Sequence, residues 1–202
     1  MIGLHIVFSA YGFWLPNDPR GSWSTYVGSR EIYEVGGKAT KTGETASVAK
    51  LPHDRDLRIA TKSTLKYPPV KYTGLQARAI ARGFASYAQK SRIAIWACAV
   101  MPDHLHLCCA PGHLNSFLLG QRFKAAATQR LNEEDLHPFK LIDGNQQKCF
   151  AAGQWVVYLD TYDDVHRTIS YIEQNPVKAG LPSQKWGFVE PYCKPRDAIE
   201  RE

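Results

Sequence analysis

Apolar and polar positions alternate loosely from residue 2 to residue 10, where Val, Ile and Phe recur, and this pattern predicts a first β-strand. Residues 11–24 are dense in Pro, Gly, Asn and aromatic side chains, the make-up of an ordered turn or loop whose rings need cover. Residues 25–72 show no sustained period and include Gly36-Gly37 and Pro68-Pro69, so they read as a long excursion between regular elements. From Thr73 to about Arg92 the apolar residues Leu75, Ala79, Ile80, Phe84, Tyr87 and Ala88 fall at three- and four-residue spacings, which predicts a helix. Strands over 93–100 and 104–110 follow, separated only by the Pro102-Asp103 corner, and such near-contiguity marks an antiparallel pair.

A second helix is predicted over 114–132, with Phe117, Leu118, Phe123, Ala127 and Leu131 toward the core and Gln121, Arg122, Lys124 and Arg130 toward solvent. Residues 136–153 are irregular, and 154–160, rich in Trp, Val and Tyr, form a fourth strand. Thr161 with Asp164 three residues on opens a last helix. That helix is expected to stop near Gln174, because Pro176 disfavours helical geometry at Asn175. With the excursion set aside the order is βαββαβ followed by one helix. The expected fold is therefore α+β: a ferredoxin-like βαββαβ single domain over residues 1–192, with an antiparallel sheet, an extra C-terminal tyrosine-bearing helix and a tail over 193–202. Two helices cover one sheet face in that arrangement, and the other face is free to meet the last helix.

The length of 202 residues suits one well-buried domain, and the balance of 44% hydrophobic to 22% charged residues is that of a soluble globular protein. No segment approaches the roughly 20 apolar residues of a membrane span. The N-terminal run lacks a basic head and a small-residue cleavage site, so a cytoplasmic protein without membrane attachment is expected. A net charge of +6 and a pI near 9.1 favour a polyanionic partner without specifying one. Cys98, Cys108, Cys109, Cys149 and Cys193 are odd in number and form no Cys-x-x-Cys pair, which suits free thiols in a reducing compartment better than a disulfide framework or a zinc knuckle.

Chemistry concentrates at Met101-Pro102-Asp103-His104-Leu105-His106-Leu107. Successive strand side chains alternate, so His104 and His106 emerge on one face while Leu105 and Leu107 enter the core, and two imidazoles are presented to one divalent cation. Downstream, in Tyr171-Ile172-Glu173-Gln174-Asn175-Pro176-Val177-Lys178-Ala179-Gly180, helical spacing sets Tyr171 and Asn175 one turn apart on a common face.

Together with Tyr11-Gly-Phe-Trp-Leu-Pro-Asn-Asp-Pro-Arg-Gly-Ser near the N-terminus, these words resemble the histidine-hydrophobe-histidine single-tyrosine transposases of the insertion-sequence type, and most closely the REP-associated tyrosine transposases. The resemblance runs over about residues 1 to 192, with 25–72 variable inside it. It implies a metal-dependent endonuclease and strand-transferase acting on single-stranded or hairpin DNA, with His104 and His106 holding Mg2+ or Mn2+ and Tyr171 forming a 5′-phosphotyrosine. A free phenol titrates near about 10, so the cation or a nearby base has to favour the phenolate.

Asn175 matches the third-ligand position of that family, and its amide oxygen is a suitable hard donor; Asn before Pro is equally a helix-end signal. Glu173 and Gln174 stand as substitutes. For DNA contact the candidates are Arg20 among the N-terminal aromatics, Lys124 and Arg130 on the second helix, Arg167 one turn before Tyr171, and Lys178 at the helix end. Each has an ordinary alternative: core packing around Phe13 and Trp14, a solvated helix face, or a cation complementing the helix dipole.

A replication-initiator or plasmid relaxase fits less well, because the chain is short, lacks a helicase portion and carries the Tyr171-Ile-x-x-Asn-Pro word. A non-catalytic, domesticated hairpin-binding protein is the alternative from another class, and intact His104, His106 and Tyr171 speak against it. A structural zinc protein using His104, His106, Cys108 and Cys109 fits less well, because Cys109 points opposite to Cys108 and one strand cannot supply all four ligands on one face. The sequence leaves open the DNA target and whether the protein is a monomer or a homodimer.

Overall fold

The computed structural model describes residues 1–43, 48–141 and 144–193; residues 194–202, most of the expected tail, lie outside them. Four strands, β1 (Gly3–Ser9), β2 (Ile95–Val100), β3 (His104–Cys109) and β4 (Trp155–Leu159), form one sheet in the order β2-β3-β1-β4, with every neighbouring pair antiparallel. The helices are α1 (Arg30–Gly36), α2 (Arg55–Ser63), α3 (Gly74–Ser91), α4 (Ser116–Glu133) and α5 (Tyr162–Lys178). With α1 and α2 set aside, this is the βαββαβ order with one added helix, and the strand order is that of the ferredoxin-like arrangement.

The period of two in β1 and β3 divides the interior. Leu4, Ile6, Phe8, Leu105, Leu107 and Cys109 point toward α3 and α4, where they bury against Ile80, Phe84, Leu119 and Phe123. The two helices cross closely at Gly83, where a Cβ would stand 2.6 Å from the Ala126 carbonyl oxygen. On the opposite face Ala97, Ala99 and Cys108 meet Val165 and Ile172 of α5. The small side chains of β2 let α5 lie down on that half of the sheet.

Three expectations need correction. The 25–72 excursion is not without regular structure: it holds α1, opened by Ser29, and α2, opened by Asp54, each cap accepting from a first-turn amide. These helices are short and largely polar, with Thr61 the one buried residue in α2 and none in α1, so they do not stand out locally. Helix α5 does not stop at Gln174 but continues through Pro176 to Lys178. Pro176 forfeits one amide donor, yet it is buried, and the amides of Ala179 and Leu181 bond back to its carbonyl. Packing thus outweighs the local preference. Phe117 and Leu118 are exposed rather than in the core, because they lie on the side of the first turn of α4 away from the buried Leu119 and Phe123.

Cys98, Cys108, Cys109 and Cys149 are buried free thiols, and Cys193 is free and exposed. Burial pushes the Cys98 and Cys108 thiols up to about 12. Cys108 and Cys109 do face opposite sides of the sheet. No helix among the described residues is long and apolar enough to cross a membrane.

Candidate active site

The alternation of β3 brings His104 and His106 out on the α5 face, opposite Ser9 and Val7 of β1. Their rings stand edge to face with centroids 4.9 Å apart. His104 lies at the strand entry and is a quarter exposed; its Nδ1 donates to Asp103 Oδ1 at 2.7 Å, and Phe13 stacks on its ring at 5.2 Å. A carboxylate only accepts, so the Nδ1 proton is fixed there and the Nε2 lone pair is left free. His106 is deeper, 5% exposed. Its Nδ1 is hydrogen-bonded to Nε2 of His5 at 2.9 Å, the two rings stacked at 5.2 Å, while its Nε2 is buried with no partner.

Burial lowers His5 to about 4 and, with His104 and His5 close by, holds His106 well below the ordinary imidazole value. Both rings are therefore neutral near pH 7, the state in which an imidazole can bind a cation. Sequence reasoning missed His5. Its signal was present: Gly3, His5, Val7 and Ser9 alternate with the core residues Leu4, Ile6 and Phe8, so His5 belongs to the same sheet side as any chemistry opposite the core.

Helix α5 supplies the tyrosine. Val165 packs by Gly3 and Tyr171 stands edge-on to His5 at 6.0 Å and to His106 at 5.5 Å, so the helix advances along the sheet toward the His104 end. Tyr171 is 43% exposed, which leaves it open to a macromolecular substrate. Asn175, the next turn, is half-buried, and its side-chain nitrogen is shielded without a partner; Glu173 and Gln174 are exposed. A groove of about 340 Å³ runs between β4 and α5, lined by Val157, Tyr158, Asp164, Arg167, Thr168 and Tyr171. A larger hollow of about 600 Å³ lies among Tyr11, α1 and the segment after α2, and shares no residue with this site.

The two imidazoles suit a divalent cation. Each ring is tied through Nδ1, one to a carboxylate and one to a second histidine, and each presents Nε2, the pattern that orients metal-bound histidines. The orphaned buried Nε2 of His106 is a further mark of such a site. Among the described residues no group of three or more His, Cys, Asp or Glu is placed to hold a metal ion, so the protein would offer two imidazoles and at most the amide.

The proposed DNA-contacting residues scatter. Arg167 lines the groove beside Tyr171, exposed and ion-paired with Asp164 at 2.5 Å, and Lys178 is exposed at the end of α5. Three others are otherwise engaged, contrary to expectation. Arg20 is held by both carboxylate oxygens of buried Asp18 and lies 3.8 Å over the Trp14 ring, where it stiffens the 11–24 loop. Lys124 is buried, and its ammonium donates to the carbonyls of Ala151, Ala152 and Gly153. Arg130 pairs with Glu133 and reaches Ser86, on the sheet face away from the histidines.

Two unforeseen contributions come from the long connection between β1 and α3. Lys62 of α2 donates to the Phe13 carbonyl at 2.6 Å and so braces the ring that stacks on His104. Trp23 stacks on Trp155 of β4 at 4.6 Å, in the cross-strand row that joins Trp155 through Val7 to His106.

No family model matches the chain, and no curated protein matches it. Among solved structures the chain is similar to a REP-associated tyrosine transposase bound to a REP hairpin. That likeness covers 93% of this chain and 74% of the other, at 13% identity and a TM-score of 0.46.

Proposed function

We propose that this protein is a metal-dependent nuclease and strand-transferase for single-stranded or hairpin DNA, with Tyr171 as nucleophile. One observation carries the reading: a tyrosine from α5 and a histidine pair from β3 meet on one sheet face, the tyrosine ring 5.5 Å from His106, with both histidine Nδ1 atoms engaged. Hairpin DNA is the substrate that the resemblance in the sequence implies.

His104 and His106 would hold Mg2+ or Mn2+ through Nε2, with Asn175 as a candidate third ligand. A cation there would neutralise the non-bridging oxygens of the scissile phosphate and favour an in-line attack. The Tyr171 oxygen then bonds to phosphorus as the bond to the 3′ oxygen breaks. The phenolic proton is lost from Tyr171, and the leaving 3′ oxygen takes one up as a hydroxyl. The 5′-phosphotyrosine keeps the phosphodiester energy, so attack by another 3′ hydroxyl rejoins DNA without ATP. Arg167 on the groove wall supplies positive charge next to the tyrosine, and the Trp23–Trp155 stack offers an aromatic surface for an unpaired base.

The test uses a hairpin with a single-stranded flank, labelled at its 3′ end, and Mn2+. The wild-type protein is expected to give a retarded covalent band on a denaturing gel. Tyr171→Phe is expected to abolish the band while hairpin affinity stays within about 3-fold, because only one hydroxyl is removed. A band that persists in the variant would assign the nucleophile to another residue, such as Tyr158 or Tyr162. Hairpin binding without any adduct in the wild type would instead support a non-catalytic hairpin-binding protein.

A further inference from the structure

We infer that His5 is a positioning residue that fixes His106 as its Nδ1–H tautomer and so aims the His106 Nε2 lone pair at the cation. The inference rests on the reading of His104 and His106 as cation ligands and assigns a role to a third histidine from a different strand, about 100 residues away in sequence.

The geometry decides between two ways of sharing the proton in the bond of 2.9 Å between His5 Nε2 and His106 Nδ1. If His5 donated, neutral His106 would carry its own proton on Nε2. That atom is buried and has no acceptor, so an N–H would be stranded, with the full cost of an unmade hydrogen bond. If His106 donates from Nδ1, His5 accepts, and the buried Nε2 is a bare lone pair, which a cation satisfies. The second arrangement also gives His106 the proton placement that the Asp103 carboxylate imposes on His104. Two rings in one tautomer then present matching nitrogens.

The fold holds His5 in place for this role. It is paired across β1 with Cys108 of β3 on one side and Val157 of β4 on the other, which sets it diagonally from His106 on the same face. Tyr171 closes over both rings, at 6.0 Å from His5 and 5.5 Å from His106. A histidine serves here where a carboxylate would not. It accepts one hydrogen bond as a neutral ring and adds no buried negative charge beneath the tyrosine that must approach a phosphate.

The test has a readout that needs no activity. Metal-free protein labelled with 15N-histidine is examined by long-range proton–nitrogen correlation, which distinguishes a protonated from a bare ring nitrogen. His106 is expected to be protonated at Nδ1 in the wild type and in His5→Gln, whose amide oxygen can accept in place of the ring. In His5→Leu it is expected to change to the Nε2–H form. Affinity for Mn2+ alone, by calorimetry, is expected to fall by about 10- to 100-fold in His5→Leu and to be largely restored in His5→Gln. His106 protonated at Nε2 in the wild type, or equal Mn2+ affinity in the wild type and His5→Leu, would overturn the role of His5. A wild-type protein that binds no Mn2+ although His106 is protonated at Nδ1 would overturn the cation reading of the site itself. Thermal melts of each variant separate these results from loss of fold.

Discussion

Replacing Lys124 by Met should cost stability and leave DNA affinity untouched, although a lysine in the middle of a basic helix is an obvious suspect for phosphate contact. The stem packs inside the α4 face at 6% exposure, and the ammonium gathers the carbonyls of Ala151, Ala152 and Gly153 at 3.0, 2.7 and 3.2 Å. It thereby ties the irregular segment before β4 to α4. Hydrogen bonds from a charged donor contribute roughly 1.5 to 3 kcal/mol each. Two effects reduce the sum. Burial pulls the Lys124 ammonium down to about 8, which marks the desolvation that opposes its charge, and the carbonyls of exposed Ala152 and Gly153 can turn to water when it goes. Met keeps the stem and its packing. A net loss of about 1 to 3 kcal/mol is expected, which for a chain of this size lowers Tm by roughly 2 to 10 °C. Urea unfolding gives the stability change, and hairpin affinity measured over a salt series gives the contact. A variant of unchanged stability whose log affinity against log salt flattens by about one would place Lys124 on the DNA and refute this reasoning.

His104→Ala and His106→Ala should each cut the rate of adduct formation by about 100-fold or more and weaken Mn2+ binding while the fold persists, and EDTA should reproduce the loss; full activity in EDTA would refute the metal-dependent step. In metal-free protein, acid should destabilise through His5. Its folded value near 4 lies below the unfolded 6.5, so the unfolded state binds more protons between them; about 3 kcal/mol present above pH 6.5 is lost as pH falls through 4. Urea unfolding at pH 7 and pH 4 checks this, since His5→Leu should lack that part of the pH dependence. Affinity should favour a hairpin with a single-stranded flank over the same sequence fully paired, and the preference should survive rising salt while both affinities fall; equal affinities across the titration would point to a nonspecific basic protein.

The parts of this protein that follow from short-range periodicity were legible in the chain. A period of two places His104 and His106 together and Leu105 and Leu107 behind them in any sheet, and spacings of three and four fix α3, α4 and the common face of Tyr171 and Asn175. Those rules are local, so they carried over to the fold with small shifts of boundary. What they could not reach depends on which distant segments touch. His5 gains its place only because β1 inserts between β3 and β4, a pairing between residues about 100 positions apart. Lys124 and Arg20 look like free cations in sequence, and become structural when the Ala151–Gly153 carbonyls and the Asp18 carboxylate close on them. Pro176 is a helix breaker by its own chemistry and a buried helical residue in the fold, because α5 has a sheet face to cover and only one amide to forfeit. Side-chain direction is a property of the backbone's repeat, whereas burial and partners belong to the assembled layers, and the chemistry at His106 needs both.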